Sequence, residues 1–522
     1  MSHSPPTDQE QLLLAIRHFN EGDMGSAARL AQAVFTANPN HAEAIHLLGM
    51  IALRTGRLEL ATKLLVMAVE LQPRQAAFHF HLGELYGQLG HTEAAERQYR
   101  QAIRLQPHFV PAHVHLGNLY FGMGAYDRAK KSYKTAVRLD PKTHIASYNL
   151  GIIAQEMGEH GVALHCFDQA LQAAPVGSTA AAQAHTAKAF SLLALGRFRE
   201  GWPEYEWRWQ LPGNTPRICA APLWDGLDIQ GKRIYLYTEQ GFGDALLFVR
   251  YIKRLRDRGG YVILECKPEL LTLFQGSQLA DEMVVRASGD ATPPDFAFDC
   301  HLPLLSLLAL PGIFAGPEPT LPDRVPYLRA DPVAQEAWRV QLAALRGLRV
   351  AICWSGNPET AVNRNRACSL ADFAPLLRVP GVSFVSIQKG VPAQQMRAQP
   401  VDVLDLDAQL TDFAQTAAVL ANVDLLIATD TAVVHLAGGL GRPVWTLLHT
   451  AAEWRWLQHR LDTPWYPNMR LFRQTTAGDW LGLLERVAEE LCLYQGSRGI
   501  IPLVGSRGEA PGGVRGEAPP GT

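Results

Sequence analysis

In the stretch "VDLLIATDTAVVHLAGGLGRPVW", Val423 to Trp445, an apolar run ends at Asp430 and a helix-forming segment starts at Thr431. A helix N-terminus offers unpaired N–H groups and the positive end of the helix dipole. Together these hold anions, the dipole contributing about 0.3–1 kcal/mol per charge and up to ~2 kcal/mol when partly buried. The Thr431 hydroxyl and the N–H groups of Thr431, Ala432 and Val433 suit a diphosphate. Asp430 then accepts from sugar hydroxyls or caps the helix. Asp and Thr are preferred caps, so residue type leaves both readings open. His435, one turn further in, is a ligand contact or a core histidine. The Gly438–Gly439 pair lets the helix approach a sheet closely.

A second site is "TEQGFGDALLF", Thr238 to Phe248. A strand ends, glycines including Gly243 turn the chain, and Asp244 opens a helix. A carboxylate at such a turn can serve as a general base or cap its helix, and local sequence favours the cap. The pattern lacks the third glycine of a dinucleotide fingerprint. A third site is "WSGNPETAVNRNRACSL". Ser355 and Asn357 follow a strand, and Arg364 and Arg366 stand in a polar loop. Arginine forks suit phosphate oxygens, and a solvated loop is the alternative. "IQKG" ends the next strand, directing Gln388 and Lys389 toward the same edge. The carboxylates of "DLD", Asp405 to Asp407, invite a metal, but the anion site does not require one, and no metal is assigned.

The elements that must position these residues alternate. "KRIYLYTEQ", "YVILECK", "MVVR" and "FAFDC" read as strands, with "DALLFVRYIKRLRDRG" as a helix between the first two. After "GPEPTLPDRVP" the alternation restarts with "LRVAICWSG", "VSFVSIQKG", "VDVLDL", "VDLLIATD" and "RPVWTLL". Strand–helix alternation argues parallel sheets covered on both faces. Two Rossmann-like halves result, 215–335 and 345–495. A ligand would lie between them, outside the carboxyl ends of the strands.

The first two-fifths of the chain differ. Pro39, Pro73, Pro107, Pro141 and Pro175 recur every 34 residues, as do Gly22, Gly56, Gly90, Gly124 and Gly158. Gly49, Gly83, Gly117 and Gly151 form another ladder, and Ala27 to Ala163 a further one. Each unit reads as two helices, the first closed by a glycine and the second stopped by a proline. Small residues such as Gly83 and Ala95 bring the two helices close. A slipped sixth unit ends near Gln210, and its Trp202, Trp207 and Trp209 cap the open apolar end. His79, His81, His113 and His115 lie on first helices. They form a polar stripe for a peptide, or pack.

Composition narrows the class. The net charge of −2 gives no global pull toward nucleic acid. Seven scattered cysteines with no C-x-x-C argue against a disulfide framework or zinc site and for a reducing, cytoplasmic setting. The N-terminus lacks a secretory pattern, and no apolar run is long enough to span a membrane. The tail, 503–522, repeats R-G-E-A-P with little to bury and is expected to be disordered.

The 34-residue units resemble the tetratricopeptide repeat over residues 8–210. "DTAVVHLAGGLGRPVWTLL" and "GFGDALL" resemble motifs of the bacterial heptosyltransferases, glycosyltransferase family 9. "WSGNPETAVNRNR", "FVSIQKG" and "EWRWLQHRLDTPWYPNMRLFRQ" look like a subgroup fused to such repeats. The resemblance implies an α-solenoid followed by a GT-B fold of two Rossmann-like halves. It implies transfer of a sugar from a nucleotide sugar, with inversion and without a required metal or other cofactor. By that pattern Asp244 is the base on the acceptor hydroxyl. Thr431 and Ala432 sit at the diphosphate, Asp430 at the sugar and His435 nearby. Arg364, Arg366 and Lys389 belong to the phosphate region. Ala432 departs from the glycine common there. The repeats would then choose the acceptor, a protein; a repeat scaffold that binds a nucleotide sugar without turnover is the alternative.

Overall fold

The computed structural model describes residues 7–214, 216–286, 294–310, 325–359, 366–398 and 401–497. Arg364 and the tail 503–522 lie outside them. The chain forms two compact units, Met1–Ala187 and Lys188–Thr522, described separately below.

The first unit is a run of antiparallel helix pairs, from Asp8–Glu21 with Met24–Ala37 to His144–Glu156 with His160–Ala173. The ladder glycines Gly22, Gly56, Gly90, Gly124 and Gly158 all have positive φ, between 71° and 85°, which only glycine adopts cheaply. The second ladder works through space instead. A Cβ at Gly83 would stand 2.7 Å from the Tyr99 ring, and one at Gly117 2.5 Å from Tyr133, so each helix leaves a slot for its partner's aromatic side chain. The alanine ladder, Ala27, Ala61, Ala95, Ala129 and Ala163, is fully buried in the same interfaces.

Of the stripe histidines, His79 and His113 bond the carbonyls of Pro73 and Pro107, at 2.9 and 3.0 Å. His81 belongs to a chain: its Nδ1 lies 2.9 Å from His46 Nε2, and Glu84 lies 3.8 Å from both His81 and His115. Burial lowers the pKa of His46 to about 3, with a lesser contribution from His81, and that of His81 to about 4, against a hydrogen bond to the Ala77 backbone and with lesser contributions from His115 and Arg54. In the unfolded chain both titrate near 6.5. Below pH ~6.5 the unfolded chain therefore takes up protons that the folded unit refuses. Stability is present above that pH and falls as pH drops toward 4. Each group costs up to about 1.4 kcal/mol per pH unit. Urea unfolding of the full chain, followed by circular dichroism between pH 7 and 4, should show this loss, and His81→Asn should make it shallower.

The second unit begins inside the helix Thr179–Ala194. The repeat-like helix Phe198–Tyr205 therefore packs with the second unit, although the repeat pattern runs on to Gln210. Trp202 stands edge-on to Phe248 and Trp454, with centroids at 5.7 and 5.3 Å. The helix still lies close on the helix before it, since a Cβ on Gly201 would stand 2.7 Å from the Leu193 side chain.

Two sheets follow. The first comprises β1 (Arg233–Tyr237), β2 (Tyr261–Cys266), β3 (Glu282–Val285) and β4 (Cys300–Pro303). They run parallel in the order β3-β2-β1-β4. The expected strand "FAFDC" is displaced: β4 starts at Cys300, and Phe296 and Phe298 instead cover Tyr235 on the sheet's outer face. The expected helix after β1 breaks into Phe242–Phe248, a 3-10 turn Val249–Tyr251 and Ile252–Asp257.

The second sheet comprises β5 (Leu348–Cys353), β6 (Val382–Ser386), β7 (Val403–Asp405), β8 (Leu425–Thr429), β9 (Val444–Leu448), β10 (Asp462–Thr463) and β11 (Tyr466–Arg473). The order is β10-β11-β9-β8-β5-β6-β7, parallel except for the β10–β11 pair. From β7 across to β11 this is the doubly wound Rossmann order. Its direction of winding reverses between β5 and β8, and the carboxyl ends of those strands carry Ser355 and Asp430. One apolar core covers one face of each sheet, joining Trp202, Leu236 and Phe248 to Ala428, Leu436, Trp454 and Trp465. A second, holding Trp354, Phe373 and Trp445, fills the far face of the second sheet beneath the helix Trp480–Ser497.

Candidate functional site

The buried strand β8 stops at Thr429, and the helix Ala432–Gly439 starts two residues later. Thr431 is its extended cap residue, but its hydroxyl donates back to the Thr429 carbonyl, at 3.1 Å, and makes no cap bond. Thr431, Ala432 and Val433 remain half-buried at the helix start. Gly438 admits the Tyr466 ring of β11, where a Cβ would stand 2.5 Å away, so this helix lies close on its sheet.

Asp430 is 6% exposed and does not cap the helix; its carboxylate faces Arg366, 3.5 Å away. Burial pushes its pKa up. Arg366, His435, the Trp456 indole and Arg455 together outweigh that and leave it below the usual carboxylate value. His435 is held by Tyr466, Nδ1 to hydroxyl 3.1 Å, and stacks on Trp456 at 5.2 Å. Burial lowers its pKa to about 4, so the ring is neutral at pH 7.

The turn after β1 meets this helix. Gly241 is the cap residue of Phe242–Phe248, which makes Asp244 the third residue of that helix rather than its cap. A Cβ on Gly243 would stand 3.0 Å from the His435 ring and 3.9 Å from the Ala432 Cα. A side chain there would push the two turns apart. Asp244, buried, is ion-paired with Arg455. Glu239, just ahead of it, bonds Arg208 at 2.8 Å; burial raises its carboxyl to about 7, against the pull of Arg208.

Arg455 follows β9, in the short turn Trp454–Trp456, and its carbonyl accepts the Trp465 indole N–H at 2.7 Å. Its second guanidinium nitrogen binds Glu453, and Glu453 also binds Arg366. A continuous chain of charge, Asp430–Arg366–Glu453–Arg455–Asp244, thus links the two expected sites. Glu453 and Arg455 open the stretch "EWRWLQHRLDTPWYPNMRLFRQ", which resembles the repeat-fused subgroup, but nothing in its spacing marks either as a site residue.

The remaining expected residues divide. Gln388 is fully used inside the protein: its oxygen accepts the N–H groups of Trp354 and Ser355, at 3.0 and 2.9 Å, and its nitrogen donates to the carbonyls of Ser355 and Lys389. It ties the turn after β5 to the end of β6. Ser355 donates to the Gly356 carbonyl, and Asn357 accepts the Glu359 N–H. Lys389 pairs with Asp407, 3.0 Å from its carboxylate. Asp407 thereby has a cation partner of its own. Among the described residues no group of three or more His, Cys, Asp or Glu is arranged to hold a metal ion.

The arrangement defines a helical-repeat protein with a Rossmann-like α/β unit whose charged centre lies at strand carboxyl ends. Comparison with protein families agrees. Residues 18–85 and 76–109 match tetratricopeptide-repeat models, 117–158 match a TPR-repeat model, and 394–477 match glycosyltransferase family 9 (heptosyltransferase). The protein therefore carries tetratricopeptide repeats in its N-terminal part and a glycosyltransferase family 9 domain in its C-terminal part. The family 9 match includes Asp430, Glu453 and Arg455 and stops short of Asp244. The chain is similar to Protein FlbA of Caulobacter vibrioides, 31% identical over 58% of this chain and 54% of that protein, so it spans about half that relative's length. Among solved structures it is similar to TTC0263, a thermophilic TPR protein of Thermus thermophilus (26% identity, 35% of this chain, 98% of that one, TM-score 0.32). It is also similar to MamA (26% identity, 30% of this chain, 93% of that one, TM-score 0.28). No helix among the described residues is long and apolar enough to cross a membrane.

Proposed function

We propose that the second unit is an inverting, metal-independent glycosyltransferase of GT-B type. It takes a sugar from a nucleotide sugar and passes it to a protein acceptor chosen by the repeats, in the cytoplasm and without a cofactor. The observation that carries this reading is the meeting of the Asp244 turn with the Asp430–Thr431 helix start, with Arg366 and Arg455 between them. In the reaction, Asp244 takes the proton of an acceptor hydroxyl. The hydroxyl oxygen bonds to the anomeric carbon as the bond to the diphosphate breaks. Arg366, Arg455 and the N–H groups at Ala432 and Val433 stabilise the charge that collects on the leaving oxygens. Asp430 orients the sugar hydroxyls, and neutral His435 fixes the helix start. Arg455 must loosen its hold on Asp244 before the carboxylate can act.

That ion pair also favours the second reading, a repeat scaffold that binds a nucleotide sugar without turning it over. One experiment separates the two. Full-length protein is screened by thermal shift against UDP-, GDP-, ADP- and CMP-sugars, and transfer to candidate proteins is then followed with those that bind. A bound ligand at 100 times its Kd stabilises by about 2.7 kcal/mol. Stabilisation with transfer supports the enzyme, and stabilisation without transfer supports the scaffold. No stabilisation by any nucleotide sugar sinks both.

A further inference from the structure

Arg366 and Arg455 each have one deeply buried carboxylate partner, Asp430 and Asp244 respectively. Each has Glu453 as its other partner, and the two oxygens of Glu453 are divided between them, one on each guanidinium. A pair of anionic oxygens bridging two guanidinium forks is also how two phosphate groups in series would sit. The Glu453 side chain is 29% exposed, against 17% for Arg366 and 10% for Arg455, so it lies on the solvent side of the pair. It stands ahead of the short turn Trp454–Trp456, in a connection without regular structure, so its side chain can swing out without unravelling a helix or strand. The chain of charges holds three carboxylates and two guanidiniums. A further anion cannot enter at low cost while all three carboxylates stay.

We infer that Glu453 is an internal stand-in for a diphosphate: it occupies the Arg366–Arg455 pair when the site is empty and is displaced when a diphosphate group binds. This rests on the reading of the site as a nucleotide-sugar site and adds to it a competitor within the chain. Glu453 keeps both guanidiniums compensated and in place between turnovers. It also sets a threshold, because a ligand must offer two linked anionic groups to replace both of its contacts. A binding-competent state populated at about 10% weakens apparent affinity about tenfold.

The test is calorimetric binding of inorganic pyrophosphate and of UDP, GDP and ADP to the full chain. Wild type is compared with Glu453→Gln, Glu453→Asp, Arg366→Gln and the charge control Asp462→Asn, whose carboxylate pairs with Arg460. Glu453→Gln should bind pyrophosphate about tenfold more tightly than wild type. Glu453→Asp, too short to span both guanidiniums, should show a smaller gain and serves if the glutamine variant misfolds. Arg366→Gln should bind more weakly. The inference is overturned if neither Glu453 variant gains affinity, if Asp462→Asn gains as much, or if no variant binds pyrophosphate. Sugar transfer is scored separately. A gain in Glu453→Gln without transfer by wild type keeps this inference and removes the enzyme reading; transfer with unchanged pyrophosphate affinity does the reverse.

Discussion

Asp244→Asn is expected to lower the rate of sugar transfer by about 10²–10⁴-fold, the range for loss of a positioned general base. Asparagine keeps the shape of the carboxylate and can still accept a bond from Arg455, so the fold at the helix start should survive. Affinity for the donor should be unchanged or higher, since a negative charge beside Arg455 has gone. The measurement is a single-turnover rate at saturating donor alongside donor binding for both proteins. Equal rates would remove Asp244 from proton transfer. A slower rate accompanied by an equal loss of donor affinity would make it a binding residue.

Arg455→Met carries the second large effect, on stability. The guanidinium is buried and neutralises Asp244 and Glu453 together. Removing one partner of a buried ion pair leaves an uncompensated charge and typically costs about 3–5 kcal/mol. Urea unfolding of the second unit should register that loss. Asp244→Asn in the same chain should restore part of it, because the stranded carboxylate then becomes neutral. A double-mutant cycle gives the coupling, which lies between about 0.5 and 3 kcal/mol for residues in direct contact. Additive losses would mean that Arg455 supports the site through its packing on Trp454 alone, where its guanidinium lies 4.4 Å from the ring centroid.

The repeats were legible because one physical requirement recurs at each step. A left-handed residue must close the first helix, which fixes Gly22 to Gly158, and a slot must admit the neighbouring side chain, which fixes Gly49 to Gly151. The strands β1, β5, β8 and β9 were legible because fully buried parallel strands read as short apolar runs. Asp430 and Thr431 could be picked out for the same reason, since the apolar run stops there. What could not be read is contact between distant segments. Arg455 meets Asp244 across 211 positions of sequence, and no local period reports such a pairing. The strand end before Gln388 was legible, but its bonds to the N–H groups of Trp354 and Ser355, more than thirty positions away, were not. The helix Phe198–Tyr205 has the repeat's pattern, but its Phe198 and Trp202 are buried in the core of the second unit, a contact that no local pattern reports.

The apolar core shared by one face of each sheet has a mechanical consequence. Enzymes built from paired α/β halves often work by hinge bending, opening to load and shutting to react. Here such a hinge would have to pull Phe248 from Trp454 and Trp465, ring systems at 6.2 and 6.0 Å that are buried with Trp202 at the centre of the unit. Tearing that aromatic cluster open in every cycle would expose several large rings to water, and each fully buried side chain of this kind is worth about 1.5–3 kcal/mol. Parting the two sheets would therefore carry that cost, whereas a shift of a single partly exposed side chain such as Glu453 would not.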